Sequence, residues 1–406
     1  MGLMNGRIGL VNIRRIDSPG KQTMADKHGT DCDFMKKMLA LLMAITAMNC
    51  LAQDKDKGNL WINNVRLSGF GIARYQYTSQ KGQSADNSFD LRVARVSLDG
   101  RILDDFYWKT QMQITGSGLT YGSSPRLLDL YVEWQKYPYA RVRVGQFILP
   151  FTYERMYPPI DNMFSANSKV IDCLVGGTDR SGIASSNGRD VGVEFVGDVL
   201  KNRDGLPLLH YVVSVVNGQG INLKDVDSRK SIVGGAWISP VKGMRLGVFG
   251  WDGTAARTGS WTDETTGEEC NGTRSLSQYR YAISGEYKVD DWTFCSEYIH
   301  STGKGFAKSY DGETKDCSLS ALGNKSDGGY ASVIAPVIKD KVHVKARYSI
   351  YRESAEWSTS QSQLEIGADW MLSKHLYLTA AYIHANNRKL AEHNYDMADV
   401  QVRVRF

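Results

Sequence analysis

The feature that most constrains the fold is a period-two alternation of apolar and polar residues, which recurs along the chain beyond residue 52. In residues 106–114 one face carries Phe, Trp, Thr, Met and Ile, and the other carries Tyr, Lys and two Gln. Residues 342–350 and 400–406 repeat the pattern. Side chains alternate across a strand, so this pattern predicts half-buried β-strands. No amphipathic helix is predicted.

About 16 such strands are predicted. In chain order they are residues 65–78, 89–100, 106–114, 127–134, 140–147, 189–198, 208–217, 231–239, 244–251, 279–287, 292–300, 329–337, 342–352, 363–370, 376–384 and 397–406. In segment 89–100 the apolar positions change phase part-way along, which predicts a β-bulge.

The connections between these strands alternate in length. Short ones lie at residues 136–138, 289–291, 338–341 and 373–375, and longer polar ones lie at 148–188, 252–278, 301–328 and 353–362. Periplasmic turns are short and outer loops are long in transmembrane barrels, so the alternation predicts an all-β, antiparallel transmembrane barrel with both termini periplasmic. A mean hydropathy of -0.35 excludes a bundle of membrane helices, which needs several apolar runs of roughly 20 residues.

Aromatic residues near strand ends agree with a membrane location. Trp134, Tyr348, Trp370 and Tyr382 fall on the apolar face, where amphipathic rings suit the membrane–water interface. Outer-membrane lipid is therefore an expected partner.

The N-terminal part reads as a targeting segment. Residues 35–37 supply a short cationic region, residues 38–48 are apolar, and Ala52 is the small residue before a cleavage site. A secretory signal over residues 35–52 is predicted, with residues 1–34 an untranslated upstream extension and residues 53–406 the mature barrel. Lipoprotein processing at Cys50 is the alternative, although Asn49 fits poorly before it.

Charge excludes a broad nucleic-acid surface. The chain has 49 Lys+Arg and 44 Asp+Glu, of which residues 1–52 hold seven and four, so the mature part carries 42 against 40. Such a near-neutral chain offers no large basic footprint, so no nucleic-acid partner is expected. Any charge selectivity must come from where the charges lie.

Four motifs resemble the phosphate-selective porin O and P family. They are RLSG at 66–69, LRVARVSLDG at 91–100, VGQFILPF at 144–151 and GRDVG at 188–192. Beyond residue 192 only the strand rhythm is similar. The resemblance implies a 16-stranded trimeric Gram-negative porin whose third loop, here 148–188, folds inward and whose basic residues guide anions. The final Phe406 resembles the assembly signal of outer-membrane proteins.

A pore selects anions with fixed cations, and guanidinium donates in a fork that fits phosphate oxygens. The candidate pore-lining cations are Arg92, Arg95, Lys109, Arg141, Arg143, Arg189, Lys345 and Arg347, with Arg155, Lys169 and Arg180 in the constriction loop. These residues predict a weak to moderate preference for small anions such as phosphate, with Arg141 and Arg143 most important. Alternatively, the cations simply pair with Asp129, Glu133, Glu194, Glu365 and Asp369 in a general diffusion pore.

Three further classes of function stay open. Tyr107, Tyr131 and Tyr377 on the inward face could form a sugar-stacking path, and the loops 252–278 and 301–328 are long enough for an adhesin. An enzyme is not expected, because His300, His384 and His393 lie in no recognisable catalytic motif.

The cysteines of the mature chain do not predict a metal site. Cys173, Cys270, Cys295 and Cys317 have no metal-ligand spacing, so neither a metal nor another cofactor is predicted. Cys270 and Cys317 lie in outer loops on the same side, where a disulfide is one possibility and two free thiols are the other.

Overall fold

The computed structural model describes residues 62–83, 86–115, 125–177, 187–307 and 316–406. The first eight strands are β1 Ile62–Thr78, β2 Asn87–Ile102, β3 Phe106–Gln113, β4 Arg126–Tyr137, β5 Ala140–Ile148, β6 Arg189–Lys201, β7 Pro207–Val216 and β8 Ser231–Ile238. The others are β9 Met244–Thr262, β10 Glu269–Val289, β11 Trp292–Thr302, β12 Lys325–Ile338, β13 Val342–Arg352, β14 Ser360–Met371, β15 Leu376–Asn387 and β16 Asn394–Arg405. The helices are α1 Tyr153–Met156, α2 Lys169–Leu174 and a 3-10 turn at Trp357–Thr359.

The strands form one closed antiparallel barrel. Each strand pairs with the next along the chain, and β16 pairs back onto β1. Closure leaves no free sheet edge, which is the condition for strands to cross a bilayer. The predicted barrel of about 16 strands is confirmed.

Exposure alternates along the strands as the sequence predicts. On β13 the outward Val344 and Tyr348 are 44% and 53% exposed, whereas the inward Lys345 and Arg347 are 2% and 4% exposed. Outward positions of the other strands are likewise rich in exposed Val, Ile, Leu, Tyr and Trp. The barrel therefore has an apolar outer band and a charged interior. Among the described residues, no helix is long and apolar enough to cross a membrane.

Backbone contacts of Phe406 and Gly69 close the seam between β16 and β1. The Gly69 amide donates to the Phe406 carbonyl at 2.9 Å, and the Phe406 amide donates to the Gly69 carbonyl at 3.0 Å. A Cβ on residue 69 would lie 2.4 Å from the Phe406 ring, so only glycine fits beneath it.

The predicted bulge in segment 89–100 is confirmed and lies at Arg92. Ile72 pairs with Val93 and Ala73 with Leu91, so Arg92 has no partner on β1. Its guanidinium points inward and donates to the Gln401 side chain on β16 at 3.4 Å. The bulge places both Arg92 and Arg95 in the lumen, although an odd spacing would put them on opposite faces of a regular strand.

One prediction about the loops was wrong. The segment 252–278 is not a long polar loop, because β9 and β10 continue as a paired hairpin to a short turn at 263–268. Both faces of this extension are polar or mixed, so the apolar alternation ends although the backbone pairing continues. The segment 148–188 also contains two short helices, which were not predicted.

The predicted signal at 35–52, its cleavage after Ala52 and the upstream extension at 1–34 lie outside the described residues. They stay predictions.

Candidate pore and its lining

The connection between β5 and β6 packs against the inner wall of the barrel. Leu149, Phe151, Tyr153, Val170 and Leu174 of this segment are fully or almost fully buried. They form one apolar cluster with inward side chains of β7 to β13, among them Val233, Phe249, Trp251, Ile299 and Tyr351. We call residues 149–177 the inner loop. Its apolar contacts explain why these strands carry apolar residues on an otherwise polar inner face.

An ion pair joins the inner loop to β13. The Arg347 Nη1 donates to the Glu154 Oε1 at 2.9 Å, and the Arg347 Nη2 donates to Glu365 Oε2 at 2.9 Å. Glu154 also accepts the amide of Ser168 at 2.9 Å and its hydroxyl at 2.7 Å. The carboxylate therefore ties the two helical parts of the loop to each other and to the wall.

Glu297 on β11 provides a second attachment. Its carboxylate accepts the backbone amides of Tyr153 at 2.7 Å and Glu154 at 2.8 Å, which are the first two amides of α1. Tyr330 on β12 donates its hydroxyl to the same carboxylate at 2.7 Å. A buried carboxylate that accepts several hydrogen bonds fixes the start of the helix.

The distal part of the loop is attached to β14 and β16. The Ser165 amide donates to Glu365 at 2.7 Å, and its carbonyl accepts the Gln401 side chain at 2.9 Å. The Arg403 guanidinium donates to the Phe164 carbonyl at 2.9 Å. The inner loop thus contacts inward positions on many strands of the barrel. That it narrows a path for solutes stays a prediction.

Lys345 and Arg347, which were predicted to line the pore, lie at inward positions of β13 and are buried beneath the inner loop. Lys345 pairs with Asp369 at 2.9 Å and also donates to the Met163 carbonyl. Both cations are covered by the inner loop because they bind its polar groups, so they anchor the loop rather than line an open surface.

Four other predicted cations are paired on the wall with carboxylates. Arg143 lies between Glu133 at 2.6 Å and Glu194 at 2.7 Å. Arg141 pairs with Asp198 at 2.9 Å. Arg189 and Lys109 share Asp129, at 2.6 Å and 3.7 Å respectively. The local charge is therefore balanced. The partners of Arg143, Arg189 and Lys109 are among those expected in the alternative of paired lumen charges, whereas Asp198 is not.

Arg92, Arg95 and Arg155 differ, because none has a carboxylate within ion-pair distance in the described part of the chain. Among the described residues Arg95 donates only to the Gln113 side chain, at 3.4 Å, and it is itself buried, with its guanidinium over the Phe70 ring at 5.8 Å. Desolvation lowers the pKa of Arg155 on α1 to about 10, so its guanidinium stays charged at neutral pH. Within the described ranges none of the three cations is in a direct ion pair, although carboxylates lie within electrostatic range of each.

These cations lie close enough to interact. Arg95 lies within electrostatic range of Arg189, Arg155 and Arg92. We call these four residues the arginine wall. Asp172 is exposed on α2. Its carboxylate interacts electrostatically with both Arg92 and Arg155. The predicted loop cation Lys169 is exposed on the same helix, and Arg180 lies outside the described residues.

Part of the chain is similar to a known protein family. Residues 69–157, which include β2 to β5 and α1, match the family model described as Phosphate-selective porin O and P. The match confirms the predicted resemblance to this family over those residues. The matched segment contains Arg92, Arg95, Lys109, Arg141 and Arg143 as well as Glu154. No curated protein matches the chain.

Solved structures share the barrel fold of this chain. An anion-selective porin from Comamonas acidovorans is 12% identical with a TM-score of 0.59, covering 85% of this chain and 100% of that chain. The outer membrane channel DcaP of Acinetobacter baumannii is 12% identical with a TM-score of 0.56, covering 85% and 97%. In-vitro folded OmpT of Vibrio cholerae, in its trimer form, is 12% identical with a TM-score of 0.55, covering 85% and 99%. At such identities the likeness shows the fold alone.

The cysteines of the porin are free in the structure. Cys173, Cys270, Cys295 and Cys317 form no disulfide. The Cys317 amide donates to the Ser260 carbonyl on β9, whereas Cys270 pairs with Trp261 from β10 on the other side of that strand. Two strand spacings amount to roughly 10 Å, which exceeds the reach of a disulfide.

The aromatic residues of the predicted sugar path are not brought together as a set. Tyr107 and Tyr131 lie with ring centroids 6.2 Å apart. Tyr377 instead donates its hydroxyl to the Lys374 carbonyl at a short turn. The three rings therefore do not form one continuous stack.

Sequence reasoning missed Glu154 and Glu297, which attach the inner loop. Glu297 sits on the inward face of β11, where the alternation places it, but its partners come from a distant loop. Glu154 follows the apolar stretch 147–153, and a charge inside such a stretch is a usable signal for a buried, paired carboxylate.

Proposed function

We propose that this porin forms a water-filled channel through the outer membrane for passive diffusion of small anionic solutes such as phosphate. The family match and the barrel support the diffusion channel. The arginine wall is the single observation that supports anion preference.

The unequal pairing of the lumen charges carries this proposal. Arg141 and Arg143 are each balanced by carboxylates, but Arg92, Arg95 and Arg155 have no such partner in the described ranges. Unpaired cations beside low-dielectric walls focus the field and raise the local anion concentration. A few such groups outweigh a nearly neutral total, so the selectivity expected from Arg141 and Arg143 is reassigned to the arginine wall.

The test is the ion selectivity of a charge-neutralised variant. In planar bilayers under a KCl gradient, the reversal potential of the native channel should show chloride crossing faster than potassium. The triple variant R92Q/R95Q/R155Q should lose that preference, because the unpaired charges are gone while side-chain polarity is kept.

A matched control removes the same number of charges elsewhere. Arg203, Lys339 and Lys374 are exposed at short turns, where salt screens charges within about 8 Å. The variant R203Q/K339Q/K374Q should keep the native reversal potential. Equal permeability of both ions in the native channel, or an unchanged potential in the triple arginine variant, leaves only a general diffusion pore.

The assembly and placement of the porin follow from the same proposal. We infer a homotrimer in the outer membrane, in line with the trimer form of OmpT. Both termini are then periplasmic, because the short turns lie at the barrel end where β1 would begin. Proteolysis of intact cells should cut the loop around residues 316–324 and spare the turn at 138–139. The reverse pattern would contradict this orientation.

A further inference from the structure

A pocket of about 340 Å³ lies between the inner loop and the barrel wall, towards the short turns. Tyr153 and Tyr157 from the inner loop form one side, and the starts or ends of β4 to β9 form the other. We call it the short-turn pocket. Its size falls in the range of small-molecule sites. The arginine wall is separate, because Arg92 and Arg95 do not line this pocket.

Aromatic rings form one wall of the short-turn pocket. His210 stacks on Trp237 with ring centroids 3.8 Å apart. Tyr153 meets Trp237 edge-on, at 5.9 Å and 90°. The negative face of an aromatic ring attracts the weakly positive C–H groups of a saturated ring.

The charged groups around the pocket are balanced. Arg143 lies between Glu133 and Glu194, and Arg141 pairs with Asp198. Arg245 pairs with Glu286 at 2.8 Å. Because each guanidinium has a carboxylate, the pocket offers no net field to attract an anion, unlike the arginine wall.

Some polar groups of the pocket nevertheless have no hydrogen-bond partner in the described part of the chain. The Arg141 Nε and the Tyr153 hydroxyl are buried and have no hydrogen-bond partner among the described residues. Tyr153 lines the pocket but is 0% exposed, so a ligand must displace neighbouring groups to reach this hydroxyl. The Glu133 and Glu194 carboxylates each have acceptor positions left, since a carboxylate accepts about four hydrogen bonds. The free groups therefore include both donors and acceptors.

We propose that the short-turn pocket binds a neutral monosaccharide in its ring form. Sugar hydroxyls both donate and accept, which matches the mixture of free donors and acceptors, and the sugar ring suits the aromatic wall. The charges of the two glutamates repel an anion, and a purely apolar ligand leaves the buried Arg141 Nε and Tyr153 hydroxyl unsatisfied. The proposal goes beyond the anion channel, since the two sites lie in different parts of the lumen.

Isothermal titration calorimetry of the full-length porin in detergent tests the proposal, with D-glucose as the probe. We expect saturable heat with the native protein. Trp237→Ala should raise the Kd at least tenfold. Trp292→Ala is the matched control, because Trp292 is exposed on the outer surface and stacks only on Phe294. Its affinity should equal that of the native protein.

A second variant guards against misfolding of Trp237→Ala, since Trp237 also packs near Phe249. Arg141→Lys keeps the charge next to Asp198 but lacks the Nε donor, and it should also weaken glucose binding several-fold. Absence of saturable glucose heat in the native protein overturns the proposal, as does an unchanged Kd in both variants. Competition by inorganic phosphate at constant ionic strength also overturns it, because it would reveal an anion site. Ionic conductance of the same sample reports on the channel independently.

Discussion

The Arg347 guanidinium on β13 and the Glu154 carboxylate on α1 form an ion pair across 193 positions of sequence, with 2.9 Å between Nη1 and Oε1. Both side chains are buried. The position of the inner loop is therefore tied to a particular strand of the opposite wall. Removing one partner of a buried pair costs more than the pair itself contributes, because the other charge is left in a poorly solvated place.

Glu154→Gln is expected to loosen the inner loop without opening the barrel. The amide keeps the size but removes one of the two carboxylates around Arg347, at a cost of about 1–3 kcal/mol. Single-channel recordings should show increased current noise, while the thermal transition of the barrel changes little. Glu392→Gln is the control, because its pair with Lys81 is exposed and contributes little. Native-like current noise in Glu154→Gln would show that the other contacts are sufficient to hold the inner loop in place.

Gly188→Ala should reduce anion preference although it changes no charge. Gly188 has φ +64°, and a Cβ there would lie 2.3 Å from the Arg155 Nε. Alanine must displace Arg155, and the left-handed backbone adds about 1–2 kcal/mol of strain. Gly205→Ala is matched in backbone, with φ +76° and no atom within 4 Å. The reversal potential should shift towards zero only in Gly188→Ala; an equal shift in both variants contradicts a role for Arg155.

Gly145→Ala should impair assembly of the barrel. Gly145 on β5 has φ +133°, and a Cβ would lie 2.2 Å from the Leu130 carbonyl oxygen on β4. The two backbones cannot stay paired at that distance, so the yield of heat-modifiable, folded protein should fall strongly. Gly71→Ala lies on β1 with no atom within 4 Å and should fold normally. Similar yields for the two variants would disprove the close approach of β4 and β5.

The cysteines should behave as free thiols. With Cys270 and Cys317 separated by a strand, a reducing agent should change neither the gel mobility nor the melting temperature. Cys270 is partly exposed and should react with a maleimide before Cys317, which is fully buried. A tryptic peptide that joins residues 270 and 317 by a disulfide would contradict this expectation.

Local pattern predicted the strands because each strand is defined by which of its own side chains face lipid. The alternation of Val344 and Tyr348 with Lys345 and Arg347 is visible in sequence, and so is a change of phase within residues 89–100, although the register is needed to place the bulge at Arg92. The hairpin extension of β9 and β10 was not predictable in this way, since neither of its faces needs to be apolar outside a membrane.

The charge balance of the lumen depends on contacts that local pattern does not contain. Arg143 and Arg95 occupy equivalent inward positions in the sequence, but cross-strand pairing puts Glu133 and Glu194 beside the first and Gln113 beside the second. Once the strand register is known, the pairing of neighbouring strands distinguishes Arg143 from Arg95. The attachment of the inner loop cannot be predicted in this way, because Glu154 contacts strands that are remote in sequence.

The bulge at Arg92 also bears on how the charge of the barrel interior can evolve. The residues on either side of Arg92 pair with consecutive positions of β1, and β3 pairs with β2 only from Arg95 onward. A deletion of one codon at this point would remove a lumen cation and restore regular pairing, with every other side chain of β2 on its present face. Within this strand, a change of length alters the charge of the pore while the architecture of the barrel is inherited unchanged.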